Sequence, residues 1–189
     1  MFGNDLFLFL KIFRGHFPCV ATLGLSIFFH VRINDQEFAL IHQAFLEYGF
    51  LVFPDQHLSD QQNIAFGERF GDIELLRPDP SKKAVPISNL KEDGSPYAPG
   101  EGRFKTLRGN EGWHTDSSYM PLAAKASILA AIKVPSTGGE TELADMRDAY
   151  DKLDADMVDR IDGLSAYHSL YQSQKKNGFS FKTGDGYGY

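Results

Sequence analysis

Trp113-His114-Thr115-Asp116 is the segment on which the interpretation of this chain depends. Side chains alternate along a β-strand, so we predict that His114 and Asp116 project from one face of a strand while Trp113 and Thr115 pack on the other. An imidazole and a carboxylate are two of the three ligands of a 2-His-1-carboxylate iron(II) centre, whose other positions stay open for co-substrate and oxygen. The spacing makes His114 and Asp116 candidate metal ligands. A surface turn or a simple hydrogen-bonded pair would also produce His-x-Asp.

The residues around this segment form further motifs in a fixed order. They are Asp116-Ser-Ser-Tyr119, an apolar run over 123–134, Gly138-Gly-Glu-Thr-Glu142 and Asp145-Met-Arg-Asp-Ala-Tyr150. These motifs resemble the TauD/TfdA family of iron(II)- and 2-oxoglutarate-dependent dioxygenases, and within it the 2,4-dichlorophenoxyacetate dioxygenases. The likeness extends from about Asp35 to about Gln172, which is most of the chain.

The resemblance implies a fold and an activity. The expected fold is mainly β with flanking helices, a double-stranded β-helix or cupin-like jelly roll whose mouth holds the metal. The expected enzyme uses Fe(2+), 2-oxoglutarate and O2 to hydroxylate a small organic acid, for example an aryloxyalkanoate such as 2,4-dichlorophenoxyacetate. Fold and motif do not select the substrate, because relatives with the same metal motif act on sulfonates, sulfate esters and amino-acid derivatives.

The resemblance also implies roles for single residues. His114 and Asp116 match the proximal iron ligands, and Thr141 matches the threonine whose hydroxyl binds the distal carboxylate of 2-oxoglutarate. Asn110 matches a position close to substrate and co-substrate, although Asn in a Gly-flanked loop is also ordinary turn chemistry. We expect Trp113 to pack in the core rather than to stack on substrate.

Cations just ahead of the metal motif offer a partner for an acidic substrate. Arg103, Lys105 and Arg108 are the candidate substrate-binding residues, since any of them could pair with a carboxylate. A solvated basic loop is the alternative. His168 is the only histidine after Asp116, but the distal His and Arg of relatives come later in the chain than this position.

The distal His and Arg of the family do not appear before Tyr189. We therefore expect a roll that is incomplete at its C-terminus, a weak two-ligand metal site and no activity from these residues alone. The competing hypothesis is an inactive fragment of the family that acts at most as a binding module. A cupin-type roll with other chemistry would require a further His close to His114, and none of the six histidines lies there.

Composition favours a soluble, cytoplasmic protein. Hydrophobic residues make up 42% of the chain and the net charge is -6, which argues against a nucleic-acid partner because phosphate binding requires a basic surface. Cys19 is the only cysteine, so no internal disulfide can form. A homo-oligomer is left open, since the family often forms dimers or larger assemblies.

Residues 1–33 are interpreted as an atypical N-terminal segment, and 34–189 as a partial TauD/TfdA-like dioxygenase domain. The apolar runs at 6–10 and 17–29 do not match the opening of the family. They are shorter than the roughly 20 residues of a membrane helix, and neither has the pattern of a signal peptide, so we predict no membrane association. A mis-set start or a shifted reading frame would explain the mismatch.

Local signals predict the elements that surround the metal motif. They give a helix from Asn34 to near Gly49, a strand at 50–53, a helix from Ser59 to about Phe70 and a core strand over 126–134. We further expect a strand-like stretch at 84–89 in an otherwise loop-rich region over 77–110, and a short strand that carries Thr141. Asp145 and Asp154 are predicted to cap two helices. The residues expected on their inner faces are Met146, Ala149, Tyr150, Leu153, Met157, Val158, Ile161 and Leu164.

Overall fold

A computed structural model describes residues 33–75, 79 and 81–180, together with the backbone of residues 6–10. The predicted apolar run at 17–29 lies outside the described residues. The elements in chain order are β1 (Leu6–Leu10), α1 (Asp35–Tyr48), β2 (Phe50–Phe53), α2 (Asp60–Gly67), α3 (Gly102–Gly109), β3 (Ala126–Ala130), α4 (Met146–Asp151), α5 (Ala155–Ile161) and α6 (Leu170–Lys176). The chain divides into two compact units, which we call the sheet unit (Met1–Ile73 with Ala124–Leu164) and the loop unit (Glu74–Ala123 with Ser165–Tyr189).

The sheet unit contains an antiparallel sheet in the order β2-β1-β3. Leu6 pairs with Phe53 on one side and with Ala130 on the other, so β1 is the central strand. Sequence reasoning assigned no element to Leu6–Leu10. Its two neighbours in the sheet, β2 and β3, were both predicted.

Helix α1 begins and ends where its sequence predicts. The Asn34 side chain accepts from the Glu37 backbone N–H at 2.9 Å, while the Glu37 carboxylate accepts from the Asn34 N–H at 2.8 Å. Gly49 ends the helix at φ 68°, a left-handed conformation that glycine adopts without a steric penalty. The predicted helix with a glycine stop is confirmed.

The core of the sheet unit lies between α1, α2 and the sheet. Ile41, Ala44 and Phe45 of α1 are buried together with Leu51, Phe53 and Phe66. Phe70 follows α2 and packs against the ring of Phe45 edge to face, with ring centroids 5.5 Å apart. This cluster confirms β2 as a short, partly buried strand and places the predicted apolar face of α1 against it.

Several predicted boundaries were wrong. Helix α2 ends at Gly67 rather than Phe70, and β3 ends at Ala130 rather than Val134. The stretch 84–89 is not a strand; Pro86 lacks an N–H for a ladder, and the one bridge nearby joins Leu90 to Pro96. Thr141 also lies outside any strand, in irregular backbone that follows the left-handed Gly138 and Gly139.

The caps of α4 and α5 are confirmed, but their expected inner faces are largely wrong. Asp145 accepts from the Arg147 backbone N–H and Asp154 accepts from that of Met157. On α4 the buried side chain is Arg147, whereas Met146 is 68% exposed. Hydrogen bonds to polar partners explain why a guanidinium can be buried here. On α5, Met157, Val158 and Ile161 are half-buried, but Leu164 is exposed because it follows the helix end. Ala149, Tyr150 and Leu153 are also exposed.

Candidate metal centre

His114 and Asp116 lie in a turn of the loop unit, not on the predicted strand. Residues 111–120 are bends, turns and irregular backbone, and Ser117 adopts a left-handed conformation at φ 52°. The backbone prediction was therefore wrong, yet the two side chains still meet. The Nε2 atom of His114 lies 3.2 Å from Oδ1 of Asp116.

A backbone carbonyl determines which imidazole nitrogen of His114 faces Asp116. Nδ1 lies 2.7 Å from the carbonyl oxygen of Gly112. Because a carbonyl oxygen can only accept, Nδ1 carries the proton in this bond. Nε2 is then the nitrogen available for a cation, in the arrangement that metal-binding histidines usually adopt.

The separation of Nε2 and Oδ1 fits a shared metal ion. Two ligand atoms each about 2.1 Å from a cation and at right angles to one another lie roughly 3.0 Å apart. The observed 3.2 Å is close to this value. Both side chains are about half exposed, at 51% and 55%, so an ion could reach them.

In the absence of metal, the Asp116 carboxylate favours a proton on His114. The hydrogen bond to Asp116 is the main reason that the pKa of His114 is raised above its ordinary value. Partial burial works in the opposite direction, while the Gly112 carbonyl and the charge of Asp116 raise the pKa further. A metal ion bound at this pair would have to displace that proton.

The pair is not joined by a third ligand in the part of the chain that the structure describes. Within those ranges, no group of three or more His, Cys, Asp or Glu side chains could hold a metal ion together. His168 is exposed and is not gathered with His114 and Asp116. The described residues thus bring together two candidate metal ligands, His114 and Asp116.

Glu74 contacts the residue that follows Asp116. The Ser117 hydroxyl donates to Oε2 of Glu74 at 2.6 Å, and Ser117 is buried, at 7% exposed. Sequence reasoning missed this contact. The two residues are 43 positions apart, so no local spacing pattern could have indicated it.

Trp113 does not pack in the core as expected. Its side chain is 71% exposed. With residues 113–116 in bends and irregular backbone, the strand alternation that would have directed this ring inward is absent.

Asn110 is connected to helix α6 through a buried amide. Nε2 of Gln174 donates to Oδ1 of Asn110 at 3.0 Å, and Gln174 is only 2% exposed. Gly109 allows this approach, because a Cβ atom there would lie 2.6 Å from Cδ of Gln174. The sequence indicated Asn110 but gave no sign of Gln174 as its partner.

The three candidate cations lie on helix α3, which sequence reasoning did not predict. Arg103 donates to the Pro86 carbonyl oxygen at 2.6 Å, and Arg108 forms an ion pair with Glu111 at 3.0 Å. Lys105 forms no ion pair or side-chain hydrogen bond in the described ranges. At 3.6 residues per turn, Lys105 and Arg108 lie roughly 200° and roughly 140° around the helix from Arg103, so the three do not share a face.

Thr141 belongs to the sheet unit and is exposed. Its hydroxyl is not engaged in a hydrogen bond with any residue that the structure describes. It is therefore open to a ligand, but no regular element fixes its direction.

A family profile described as "Taurine catabolism dioxygenase TauD, TfdA family" matches residues 18–186. The chain belongs to the TauD/TfdA family. The resemblance of the metal motif and of the segments after it is thereby confirmed over most of the chain.

Curated relatives within the TauD/TfdA family include two kinds of aryloxyalkanoate enzyme. The chain is 46% identical over 174 residues to an (S)-phenoxypropionate/alpha-ketoglutarate-dioxygenase of Sphingobium herbicidovorans, covering 89% of this chain and 58% of the relative. It is 37% identical over 150 residues to an alpha-ketoglutarate-dependent 2,4-dichlorophenoxyacetate dioxygenase of Cupriavidus pinatubonensis, covering 75% of this chain and 52% of the relative. The chain thus spans less than two thirds of the length of these relatives.

A solved structure supports the TauD/TfdA fold directly. The crystal structure of AAD-2 in complex with Mn(II) and N-oxalylglycine matches with a TM-score of 0.74 and 32% identity, covering 93% of this chain and 62% of that chain. The expected jelly-roll fold class is confirmed by this match. Among the described residues, no helix is long and apolar enough to cross a membrane.

Proposed function

We propose that the protein carrying this chain is an iron(II)- and 2-oxoglutarate-dependent dioxygenase that hydroxylates a small organic acid of the aryloxyalkanoate class. The observation that carries the proposal is the His114–Asp116 pair, with Nε2 and Oδ1 3.2 Å apart. Similarity to enzymes named for phenoxypropionate and 2,4-dichlorophenoxyacetate supports the substrate class. Mn(II) in the related AAD-2 structure supports a divalent cation.

The two metal ligands have complementary tasks. His114 offers an uncharged nitrogen, whose direction the Gly112 carbonyl fixes through Nδ1. Asp116 offers a negative charge that offsets part of the charge of the cation. Bound iron(II) would supply the activation of oxygen that accompanies decarboxylation of 2-oxoglutarate.

The co-substrate would be held by Thr141 through its distal carboxylate. N-oxalylglycine, named with AAD-2, has the 2-oxoglutarate skeleton with one CH2 replaced by NH. The exposed Thr141 hydroxyl can donate to such a carboxylate. Asn110 would contact substrate or co-substrate through its side-chain NH2 group, because its side-chain oxygen already accepts from Gln174.

Among the three candidate cations, we propose Lys105 rather than Arg103 or Arg108 as the partner of the substrate carboxylate. The guanidinium groups of Arg103 and Arg108 already have a carbonyl and a carboxylate partner. The ammonium of Lys105 has no ion pair or hydrogen bond with a described residue. It can therefore pair with an acid without first breaking another contact.

Turnover with defined acids tests the proposal. The protein that carries this chain is supplied with Fe(II), 2-oxoglutarate and either 2-phenoxypropionate or 2,4-dichlorophenoxyacetate, and succinate and the corresponding phenol are measured. We expect equal amounts of the two products, and little succinate when taurine replaces the aryloxy acid. His114→Ala should abolish turnover, whereas His168→Ala should retain it because His168 is exposed and apart from the pair.

Turnover measured together with Mn(II) binding separates the enzyme from an inactive binding module. Binding of Mn(II) without succinate formation from either acid would favour the binding module. Absence of both would contradict the metal site itself.

A further inference from the structure

We propose that Glu74 is a positioning residue for the metal centre, because its carboxylate holds the Ser117 hydroxyl and thereby fixes the turn that carries Asp116. The inference rests on the metal site proposed above. Glu74, Ser117 and Asp116 all belong to the loop unit.

The contact between Ser117 and Glu74 is short and partly shielded from water. The hydroxyl donates to Oε2 at 2.6 Å, in the range of hydrogen bonds that a charged acceptor strengthens. Among the described residues, Glu74 is the only side-chain hydrogen-bond partner of Ser117. A single interaction therefore decides where this side chain points.

Ser117 needs such an interaction because of its backbone. At φ 52° it occupies the left-handed region that residues with a Cβ avoid. Its carbonyl oxygen accepts from the Met120 N–H at 3.0 Å, which closes the turn directly after Asp116. A turn built on an unfavourable conformation persists only where its surroundings hold it.

The second carboxylate oxygen of Glu74 indicates that Glu74 does not serve mainly to stabilise the fold. Oε1 is buried without a hydrogen-bond partner, and Glu74 forms no ion pair in the described ranges. A buried carboxylate oxygen without a hydrogen-bond partner is unfavourable for folding. The bond to Ser117 is the one compensating contact, and it acts on the residue next to Asp116.

Loss of the contact should therefore change the metal site before it changes the fold. If the turn relaxes, Asp116 shifts relative to His114, and the 3.2 Å spacing of Nε2 and Oδ1 is no longer held. Removing a side chain that orients a metal ligand commonly weakens metal affinity by about tenfold or more.

The test is an electron paramagnetic resonance titration of the protein with Mn(II), in which the signal of free Mn(II) reports the dissociation constant. We expect Ser117→Ala and Glu74→Ala each to raise this constant by about tenfold, and the double variant to raise it no further. Glu74→Gln should bind nearly as well as the parent, because its amide oxygen can still accept from Ser117. Ser118→Ala is the matched control, since the Ser118 hydroxyl has no hydrogen-bond partner among the described residues.

A second variant covers the case in which Ser117→Ala does not fold. Ser117→Gly removes the hydroxyl but relieves the left-handed backbone, so it should fold and still bind Mn(II) about tenfold more weakly. Parent-like binding by folded Ser117→Gly and Glu74→Ala would overturn the inference, as would additive effects in the double variant. No binding by the unaltered protein would overturn both the proposed metal site and this inference.

Discussion

Replacing Gly49 with alanine should weaken the junction between α1 and α4. Gly49 ends α1 at φ 68°, and a Cβ atom there would lie 2.5 Å from Nη2 of Arg147. That guanidinium is buried, and it donates to Asp145 at 3.0 Å and to the Leu46 carbonyl at 3.4 Å. No basic side chain lies in the last turn of α1, so Arg147 supplies the positive charge that a helix C-terminus favours.

The expected cost of Gly49→Ala has two parts. The left-handed conformation of an alanine costs about 1 kcal/mol, and displacing a charged hydrogen-bond donor costs roughly 2 kcal/mol more. Gly163→Ala is the matched control, because Gly163 has φ 73° but no atom within 4 Å of an added Cβ. We expect losses in the free energy of unfolding of about 3 kcal/mol and about 1 kcal/mol respectively, measured by urea denaturation.

A thermodynamic cycle isolates the collision with the guanidinium. In an Arg147→Ala background, Gly49→Ala should cost only the conformational part, about 1 kcal/mol. Equal losses for Gly49→Ala and Gly163→Ala in the parent protein would refute the reasoning.

Three further predictions follow from local contacts. Burial is the largest influence on Asp145 and raises its pKa, but hydrogen bonds from the guanidinium and backbone N–H of Arg147, the charge of Arg147 and a backbone hydrogen bond from Asp148 together outweigh it and leave the pKa below the ordinary 3.8. Asp145→Asn should therefore lower the free energy of unfolding at neutral pH, and its difference from the parent should shrink as the pH falls below about 4. A difference in the free energy of unfolding from urea denaturation that does not change with pH would contradict this prediction. Asn34→Ala removes the α1 cap and should cost about 1 kcal/mol in the same assay, and an unchanged value would show that the cap contributes nothing. Gly109→Ala would crowd Gln174 and should cost about 2 kcal/mol by thermal unfolding. Gly112→Ala should cost much less, because no atom lies within 4 Å of a Cβ added there. Similar losses of stability in the two variants would contradict the packing of Gly109 against Gln174.

The helices that the sequence predicted correctly begin at capping residues. Asn34, Ser59, Asp145 and Asp154 each accept from a backbone N–H two or three residues further on. Donor and acceptor are thus neighbours in the chain, and the pattern can be read without knowledge of the fold. The glycine that ends α1 could likewise be predicted from the local sequence.

Helix α3 was missed because its ends lack these signals. Its N-cap Glu101 makes no side-chain capping bond, and glycines 102 and 109 occupy its first and last positions. Glycine is unfavourable in helices, so the local preference points away from the observed structure. Packing of Gly109 against the buried Gln174 favours helix α3 instead. That contact joins positions far apart in the chain.

The buried face of α4 is another feature that the local sequence could not predict. Periodicity assigned its inner positions to apolar side chains, but the structure buries Arg147. The carbonyl of Leu46 that receives this guanidinium is 101 positions away. A hydropathy pattern cannot predict such a distant hydrogen-bond partner.

The meeting of the His114 and Asp116 side chains could be predicted, although the backbone conformation that brings them together could not. Residues two apart in a chain cannot have Cα atoms more than about 7 Å apart, so several backbone conformations allow their side chains to meet. A strand would bring His114 and Asp116 to one face, and the observed turn brings Nε2 and Oδ1 to 3.2 Å. The motif therefore specifies which atoms meet, whereas Ser117 and the distant Glu74 specify the turn in which they do so.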